Sequence, residues 1–170
     1  MHADDGQPAI LVGVSGSGAS LAALRWAAVE ARRRDARLRV IQAWEPRPAR
    51  APYAAAATDD GSSAGTAAGH LARLVRATTG DQAGAGIDVE VVAGPAERVL
   101  VDASADASML VLGSGGQTPS TPAADQQAER PVGPVIRACL SHAHCPVLVI
   151  SPAVAAEQEQ GRPALAGTAR

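Results

Sequence analysis

The chain has 170 residues, a net charge of −2 and 46% hydrophobic residues, which is enough for one domain with its own core. All of its basic residues are arginine, which excludes sites that require a lysine, such as a P-loop or a Schiff base. Aromatic residues make up 2% of the chain and no basic stripe accompanies them, so we expect no nucleic-acid partner.

The N-terminal segment and the cysteines indicate the cellular compartment in which the protein is expected. Residues 1–8 are polar and acidic, without the charged and apolar regions of a signal peptide. No apolar run is long enough to cross a bilayer, and Cys139 and Cys145 do not make a disulfide framework. We therefore expect a cytoplasmic protein with a flexible N-terminus at 1–8 and no membrane partner.

Strand and helix patterns alternate along the first part of the chain. Ile10–Val14 is a continuous apolar run, typical of a buried strand, and Ser20 is expected to cap a helix that continues to about Asp35. Arg37–Ala43 predicts the second strand. The Pro-, Ala-, Ser- and Gly-rich stretch at 44–65 predicts a flexible loop.

The alternation continues to the end of the predicted domain. The predicted elements are a helix at about 66–79, an edge strand at Ile87–Val92, a helix with Pro95 in its first turn that runs to about Ala105, a strand at Met109–Leu112, a helix at about 134–142 and a strand at Val147–Ile150. Residues 152–170 predict a flexible tail. Five strands separated by helices predict an α/β sandwich with a mostly parallel sheet.

Two glycine-rich segments follow predicted strands, at 13–18 and at 113–116. A glycine loop that leads into a helix offers bare N–H groups and partial positive charge to a phosphate. Ligands of open parallel sheets bind beyond the carboxyl ends of the strands, where the strand order reverses. If the first and fourth strands are neighbours, both loops border one crevice, and that crevice is the predicted ligand site.

Two enzyme hypotheses apply to the first glycine segment. Gly13-x4-Gly18 has the spacing of a Walker A loop, but Ala19 occupies the position of the essential lysine, so a tight strand–helix turn is the preferred interpretation. The segment also resembles the Ser-Gly-Gly-x-Asp-Ser loop of ATP pyrophosphatases, again with Ala19 in place of a functional residue.

Other chemistry-bearing residues favour structural roles. His142, His144 and Cys145 are types that bind zinc, but three ligands within four residues at a helix–strand junction do not converge easily. A redox pair of Cys139 and Cys145 would require Cα atoms within about 7 Å. Asp102 and Asp106 are expected to be solvated. We expect no catalytic residue and no metal site.

Three segments carry a family resemblance: Val12-Gly-Val-Ser-Gly-Ser-Gly-Ala-Ser20, Met109-Leu-Val-Leu-Gly-Ser-Gly-Gly116 and His142-Ala-His-Cys-Pro-Val-Leu-Val-Ile150. In these segments the chain resembles the universal stress protein family, over residues 9–151. The resemblance implies one α/β domain with a five-stranded parallel sheet in the order 3-2-1-4-5, the adenine nucleotide α-hydrolase-like fold. It also implies a homodimer through the last strand, formed by Val147, Leu148, Val149 and Ile150.

The resemblance brings a nucleotide motif with it. Family members that bind ATP have Gly-x2-Gly-x9-Gly followed by Ser or Thr, and an Asp at the end of the first strand. Gly113 and Gly116 match the first two glycines, whereas the expected position of the third is Gln126. Gly133 matches the third glycine by its downstream context, which makes 117–132 a flexible insert.

Two further departures weaken the motif. Pro134 occupies the Ser/Thr position and offers a phosphate neither a hydroxyl nor an N–H, although proline suits the first turn of a helix. Ser15 occupies the Asp position; it keeps a hydroxyl for a sugar but cannot anchor magnesium as a carboxylate does. The insert adds Asp125 and Glu129 against Arg130, a balance that repels a polyphosphate.

The resemblance with these departures predicts a non-catalytic binding or interaction module of a stress response, with weakened or lost nucleotide binding, no required cofactor and protein partners. The alternative is a stress sensor that binds ATP or AMP with its adenine near Val14 and Ala43. The candidate binding residues are Val14, Ser15, Ala43, Gly113, Ser114, Gly116, Gly133, Pro134 and Val135.

Overall fold

A computed structural model describes residues 7–44, 64–80, 86–114 and 132–151. Strands and helices alternate throughout: β1 Ala9–Gly13, α1 Gly18–Arg34, β2 Arg37–Trp44, α2 Ala64–Thr79, β3 Ile87–Ala93, α3 Ala96–Ala103, β4 Met109–Gly113, α4 Pro134–His142 and β5 Val147–Ile150. Most of the predicted flexible segments 1–8, 44–65, 117–132 and 152–170 lies outside the described residues, as does Gly116. At the ends of the predicted loop 44–65, residue 44 belongs to β2 and residues 64–65 belong to α2.

The five strands form one parallel sheet in the order β3-β2-β1-β4-β5. This confirms the expected fold class and strand order. The strand order reverses between β1 and β4, which pair directly, with Ile10 opposite Met109 and Val12 opposite Val111. The loops that follow β1 and β4 therefore leave the same edge of the sheet side by side.

The sheet separates two apolar cores because successive strand residues point to opposite faces. Ile10 and Val12 of β1 face the core under α1 and α2, whereas Leu11 faces the core under α3 and α4. The buried side of α1 is mostly alanine: Ala22, Ala23, Ala27, Ala28 and Ala31. These small side chains let α1 lie close to the sheet.

Helix α1 begins earlier than the sequence predicted. Ser17, not Ser20, is the N-cap, and its hydroxyl oxygen accepts a hydrogen bond from the backbone N–H of Ser20 at 3.3 Å. Ser20 lies within the first turn, buried, and donates its hydroxyl to the Ser17 carbonyl at 2.8 Å. The expectation that Ser20 caps the helix was wrong because Gly18 and Ala19 are already helical, which moves the cap one turn back.

Helix α3 is shorter than expected and begins after its proline. Pro95 is the N-cap rather than a first-turn residue, and the helix ends at Ala103 in a single 3₁₀ turn, Ser104–Asp106. The buried Ser104, the first residue of this turn, donates its hydroxyl to the Val101 carbonyl at 2.6 Å. The same hydroxyl oxygen accepts the His144 N–H at 2.9 Å, which ties α3 to the α4–β5 turn.

Strand β3 is an edge strand with one wetter face, as its alternating pattern predicted. On that face Arg39 of β2 forms a two-point ion pair with Glu90, at 3.0 and 3.1 Å, and Arg37 pairs with Asp88. None of the helices in the described ranges is long and apolar enough to cross a membrane.

Candidate functional site

A cavity of about 730 Å³ lies at the carboxyl edge of the sheet, where the loops after β1 and β4 meet the starts of α3 and α4. Its described lining consists of Gly13, Val14, Ser15, Ser20, Ile41, Ala43, Ala96, Leu100, Leu112, Gly113, Ser114, Val132, Gly133, Pro134, Val135, Ile136 and Val149. The eight candidate residues that the structure describes all belong to this lining. The predicted crevice at the strand switch point therefore exists as a cavity.

The β1 loop places its polar groups in an internal network. Val14 is buried and its N–H donates to the Ile41 carbonyl at 2.9 Å, which extends the sheet by one residue. Ser15 is exposed; its N–H donates to the Ser20 hydroxyl oxygen at 3.3 Å and its hydroxyl donates to that of Ser17 at 3.1 Å. Gly16 has a φ of +82° and forms a tight turn between β1 and α1. The sequence predicted such a turn here rather than a Walker A loop.

The end of β4 passes close to the first turn of α1. A Cβ atom added to Gly113 would collide with the carbonyl of Ala19 and the backbone nitrogen of Ser20. Glycine at 113 is therefore required by packing, whether or not a phosphate binds. Ser114 donates both its N–H, at 2.8 Å, and its hydroxyl, at 3.1 Å, to the Ile150 carbonyl, which closes the β4–β5 ladder.

Helix α4 begins at the rim of the cavity. Gly133 is its N-cap in extended conformation, Pro134 is in its first turn, and no side chain caps it. The first-turn N–H groups of Val135 and Ile136 thus carry the positive end of the helix dipole. Arg137, exposed on the same helix, makes a long contact of 3.5 Å with the Val132 carbonyl.

The apolar wall of the cavity was missed by sequence reasoning. It is formed by Ile41, Leu100, Leu112, Ile136 and Val149 from five different elements. Strand alternation places Leu112 on the same face as Leu110, which is a usable signal. Nothing in the spacing, however, shows which turn of α3 or α4 packs at the carboxyl edge of the sheet.

The two cysteines lie in the core under α3 and α4. Cys139 is fully buried, and burial, the nearby Cys145 thiol and the Glu97 carboxylate together raise its pKa from 9.0 to about 11. Cys145 is half-buried and burial raises its pKa as well, against a backbone hydrogen bond from Leu110. Both thiols are free and predominantly protonated near neutral pH, so their thiolates are scarce.

The other candidate ligands are not brought into the cavity. His142 is exposed in the last turn of α4, and His144 is exposed beside the Ser104 turn. Asp102 and Asp106 are exposed, as expected. Within the four described stretches, no three His, Cys, Asp or Glu side chains are grouped as metal ligands would be.

The sequence model of the universal stress protein family matches residues 8–151, most of the chain. The chain belongs to the universal stress protein family. Universal stress protein Rv3134c of Mycobacterium tuberculosis is 35% identical over 147 residues, which cover 86% of this chain and 50% of the relative. The chain spans about half the length of the curated relatives it matches.

Solved universal stress proteins share the fold. The protein UspA from Lactobacillus plantarum superposes with a TM-score of 0.64 at 22% identity, over 84% of this chain and 97% of that one. A universal stress protein in complex with cAMP superposes with a TM-score of 0.58 at 23% identity, over 84% of this chain and 95% of that one. At these identities the likeness concerns the fold alone.

Proposed function

We propose that the chain is a non-catalytic binding module of the stress response that works in the cytoplasm and takes a small adenine-containing ligand into the cavity between β1 and β4. The observation that carries the proposal is the cavity itself. Its 730 Å³ lies within the range of roughly 300–1,000 Å³ typical of small-molecule sites. It opens at the strand switch point, where ligands of open parallel sheets bind.

The known universal stress proteins support an adenine ligand. One solved member of the family contains cAMP and shares the fold of this chain. The aliphatic side chains of Ile41, Leu100 and Leu112 suit the faces of a purine ring, which gains free energy when it leaves water. Val14 and Ala43, the residues expected near adenine, lie in the same lining.

The non-catalytic part of the proposal rests on the groups in the lining. Among the residues that the structure describes, the polar side chains of the lining are the hydroxyls of Ser15, Ser20 and Ser114, and each donates to a protein oxygen. A hydrolase requires a base or an activated nucleophile at the reacting atom. We therefore expect ATP to be hydrolysed no faster than in buffer alone, and hydrolysis that copurifies with the protein and disappears on blocking the cavity would contradict this.

A cavity-filling variant tests the binding site. Ala96, the first residue of α3, lines the cavity, whereas Ala77 is exposed on α2. We expect adenosine or AMP at about 1 mM to raise the melting temperature of the native protein, since a ligand of the folded state stabilises it by mass action. The rise should shrink in Ala96→Phe and persist in Ala77→Phe.

The two variants change the same residue type in helices, so a nonspecific effect of phenylalanine would appear in both. The proposal is wrong if neither adenosine nor AMP shifts the melting temperature of the native protein. It is also wrong if Ala96→Phe, still folded by circular dichroism, keeps the full shift.

A further inference from the structure

The cavity wall is apolar where the ligand would be enclosed. Five aliphatic side chains from five elements line it: Ile41, Leu100, Leu112, Ile136 and Val149. An ion that leaves water for such a wall loses hydration and must recover it through donors or cations in the protein. The donors around the cavity therefore decide whether a phosphate can enter.

The β1-loop hydroxyls that line the cavity, and the N–H groups of Val14 and Ser15, already donate to protein oxygens. A serine hydroxyl has one proton to donate. Ser15 gives its hydroxyl proton to Ser17 and its N–H to Ser20, and Ser20 gives its hydroxyl proton to the Ser17 carbonyl. To serve a phosphate, these donors would have to leave their present partners within the loop.

The hydrogen-bond donors of Ser114, at the end of β4, are also engaged within the protein. Ser114 directs both its N–H and its hydroxyl at the Ile150 carbonyl, so that its two donors hold β5 in the sheet. Gly113, the adjacent motif residue, is fixed against the first turn of α1. In this chain both residues serve the packing of β4 against its neighbours.

The start of α4 offers a phosphate two backbone N–H groups and the partial positive charge of the helix dipole. Pro134 has no N–H, so the N–H groups of Val135 and Ile136 remain, at a helix end equivalent to roughly half an elementary charge. A phosphate monoester carries about −1.5 to −2 at pH 7. Glu97, next to Ala96 of the lining, lies close enough to α4 to act electrostatically on buried Cys139, and it adds negative charge to this side.

We infer that the cavity selects an uncharged ligand of nucleoside size over the phosphorylated forms of the same ligand. The inference rests on the proposed function, and narrows it from adenine-containing ligands in general to those without a phosphate. The apolar wall holds the base. Among the described lining residues, the donors of Ser15, Ser20 and Ser114 are engaged and Pro134 has no N–H, which disfavours a phosphate.

Calorimetric titration of the full chain with adenosine, AMP and ATP, without magnesium, tests the inference. We expect adenosine to bind more tightly than AMP, and ATP to bind at least about tenfold more weakly than adenosine, since each unpaired charge must be desolvated. AMP or ATP binding as tightly as adenosine, or more tightly, overturns the inference and leaves the proposed function intact. Failure of all three to bind overturns the proposed function.

The titration is repeated on Arg137→Ala, because Arg137 is exposed on α4 beside the Val132 carbonyl. We expect the three affinities to keep their order in this variant. If AMP binds the native protein more tightly than adenosine and loses this advantage in Arg137→Ala, the phosphate is held at α4 and the inference is wrong.

A gain-of-function variant tests whether added donors at the start of α4 strengthen phosphate binding. Pro134→Ser restores an N–H and a hydroxyl at the start of α4, and it should tighten AMP binding about tenfold while leaving adenosine binding unchanged. Pro146→Ser, an exposed proline before β5, is the matched control and should change neither. Unchanged AMP binding in a folded Pro134→Ser would show that missing donors at α4 do not set the preference, and would overturn the inference.

Discussion

Gly113 lies where the end of β4 passes the first turn of α1, and the approach leaves no room for a Cβ atom. The sequence motif assigned this glycine to phosphate binding, because glycine loops after strands commonly have that role. The structure adds a packing role that operates without any ligand. Gly113 by itself is therefore poor evidence for nucleotide binding.

Gly113→Ala should destabilise the protein by about 3 kcal/mol, because the added Cβ meets backbone atoms of Ala19 and Ser20 that cannot move without shifting α1. Gly18→Ala is the matched control, since a Cβ there meets nothing within 4 Å. It should leave the stability unchanged or raise it by less than about 1 kcal/mol, as alanine favours a helix. Urea unfolding measures both, and equal midpoints for the two variants would contradict the packing role.

Ser20 marks the limit of prediction at the scale of single residues. A serine before an apolar helical pattern is a fair cap candidate, and Ser20 satisfied that rule. The choice of Ser17 depends on the tight turn at Gly16, whose positive φ was not evident in a segment with several glycines.

At the scale of elements, the sequence predicted strands and helices in their correct order. The bounds of α4 and β5 agree with the structure, because Gly133 and Pro134 begin the helix and Pro146 separates it from the strand. The predicted end of α3, at about Ala105, falls within the 3₁₀ turn Ser104–Asp106 that follows the helix. In this turn the Ser104 hydroxyl donates to the Val101 carbonyl and accepts the N–H of His144, a residue remote in sequence.

Strand β5 forms one end of the sheet, and we propose that a second copy of the chain pairs with it there. The Pro146 and Ile150 carbonyls accept hydrogen bonds from β4, so the intervening odd-numbered residues direct their backbone groups away from β4. Such an edge is a template for pairing with another strand.

Val149→Pro tests the pairing, because it removes an outward N–H without touching the ladder to β4. We expect the native protein to sediment as a dimer and the variant as a monomer. A cooperative melting transition in the variant serves as the control for folding. A native protein that sediments as a monomer at micromolar concentration would refute the proposal.

At the scale of the whole molecule, the sheet separates two apolar cores that differ in composition and in what they contribute to the cavity. The core under α1 and α2 is rich in alanine, whereas the core under α3 and α4 supplies Ile41, Leu100, Leu112 and Ile136 to the lining of the cavity. Cys139 lies in the second core, fully buried, with its pKa raised to about 11.

Because of the Cys139 thiol, the free energy of unfolding should fall as the pH rises above about 9. The unfolded thiol ionises near its ordinary pKa of 9.0 and the folded one near 11, so the unfolded state loses its proton first. The contribution is complete below pH 9 and is lost as the pH rises to about 11. Urea midpoints between about pH 8 and pH 10.5 should fall more steeply in the native protein than in Cys139→Ala.

Cys145→Ala is the control for that experiment, because it keeps the buried thiol and removes the half-buried one, whose pKa is also raised. The urea midpoint of Cys145→Ala should fall between about pH 8 and pH 10.5 nearly as much as that of the native protein. An identical loss in the native protein and in Cys139→Ala would show that other groups cause it.

The sequence by itself determined the element order, the parallel sheet and its family, since apolar periodicity and local turn residues are written along the chain. It also located the crevice at the carboxyl edge of the sheet, because the strand order places the loops after β1 and β4 together. Tertiary structure decided the rest: the apolar wall, the packing role of Gly113 and the commitment of the serine donors. Those features join residues far apart in sequence, such as Ser114 with Ile150, and only the folded chain brings them into contact.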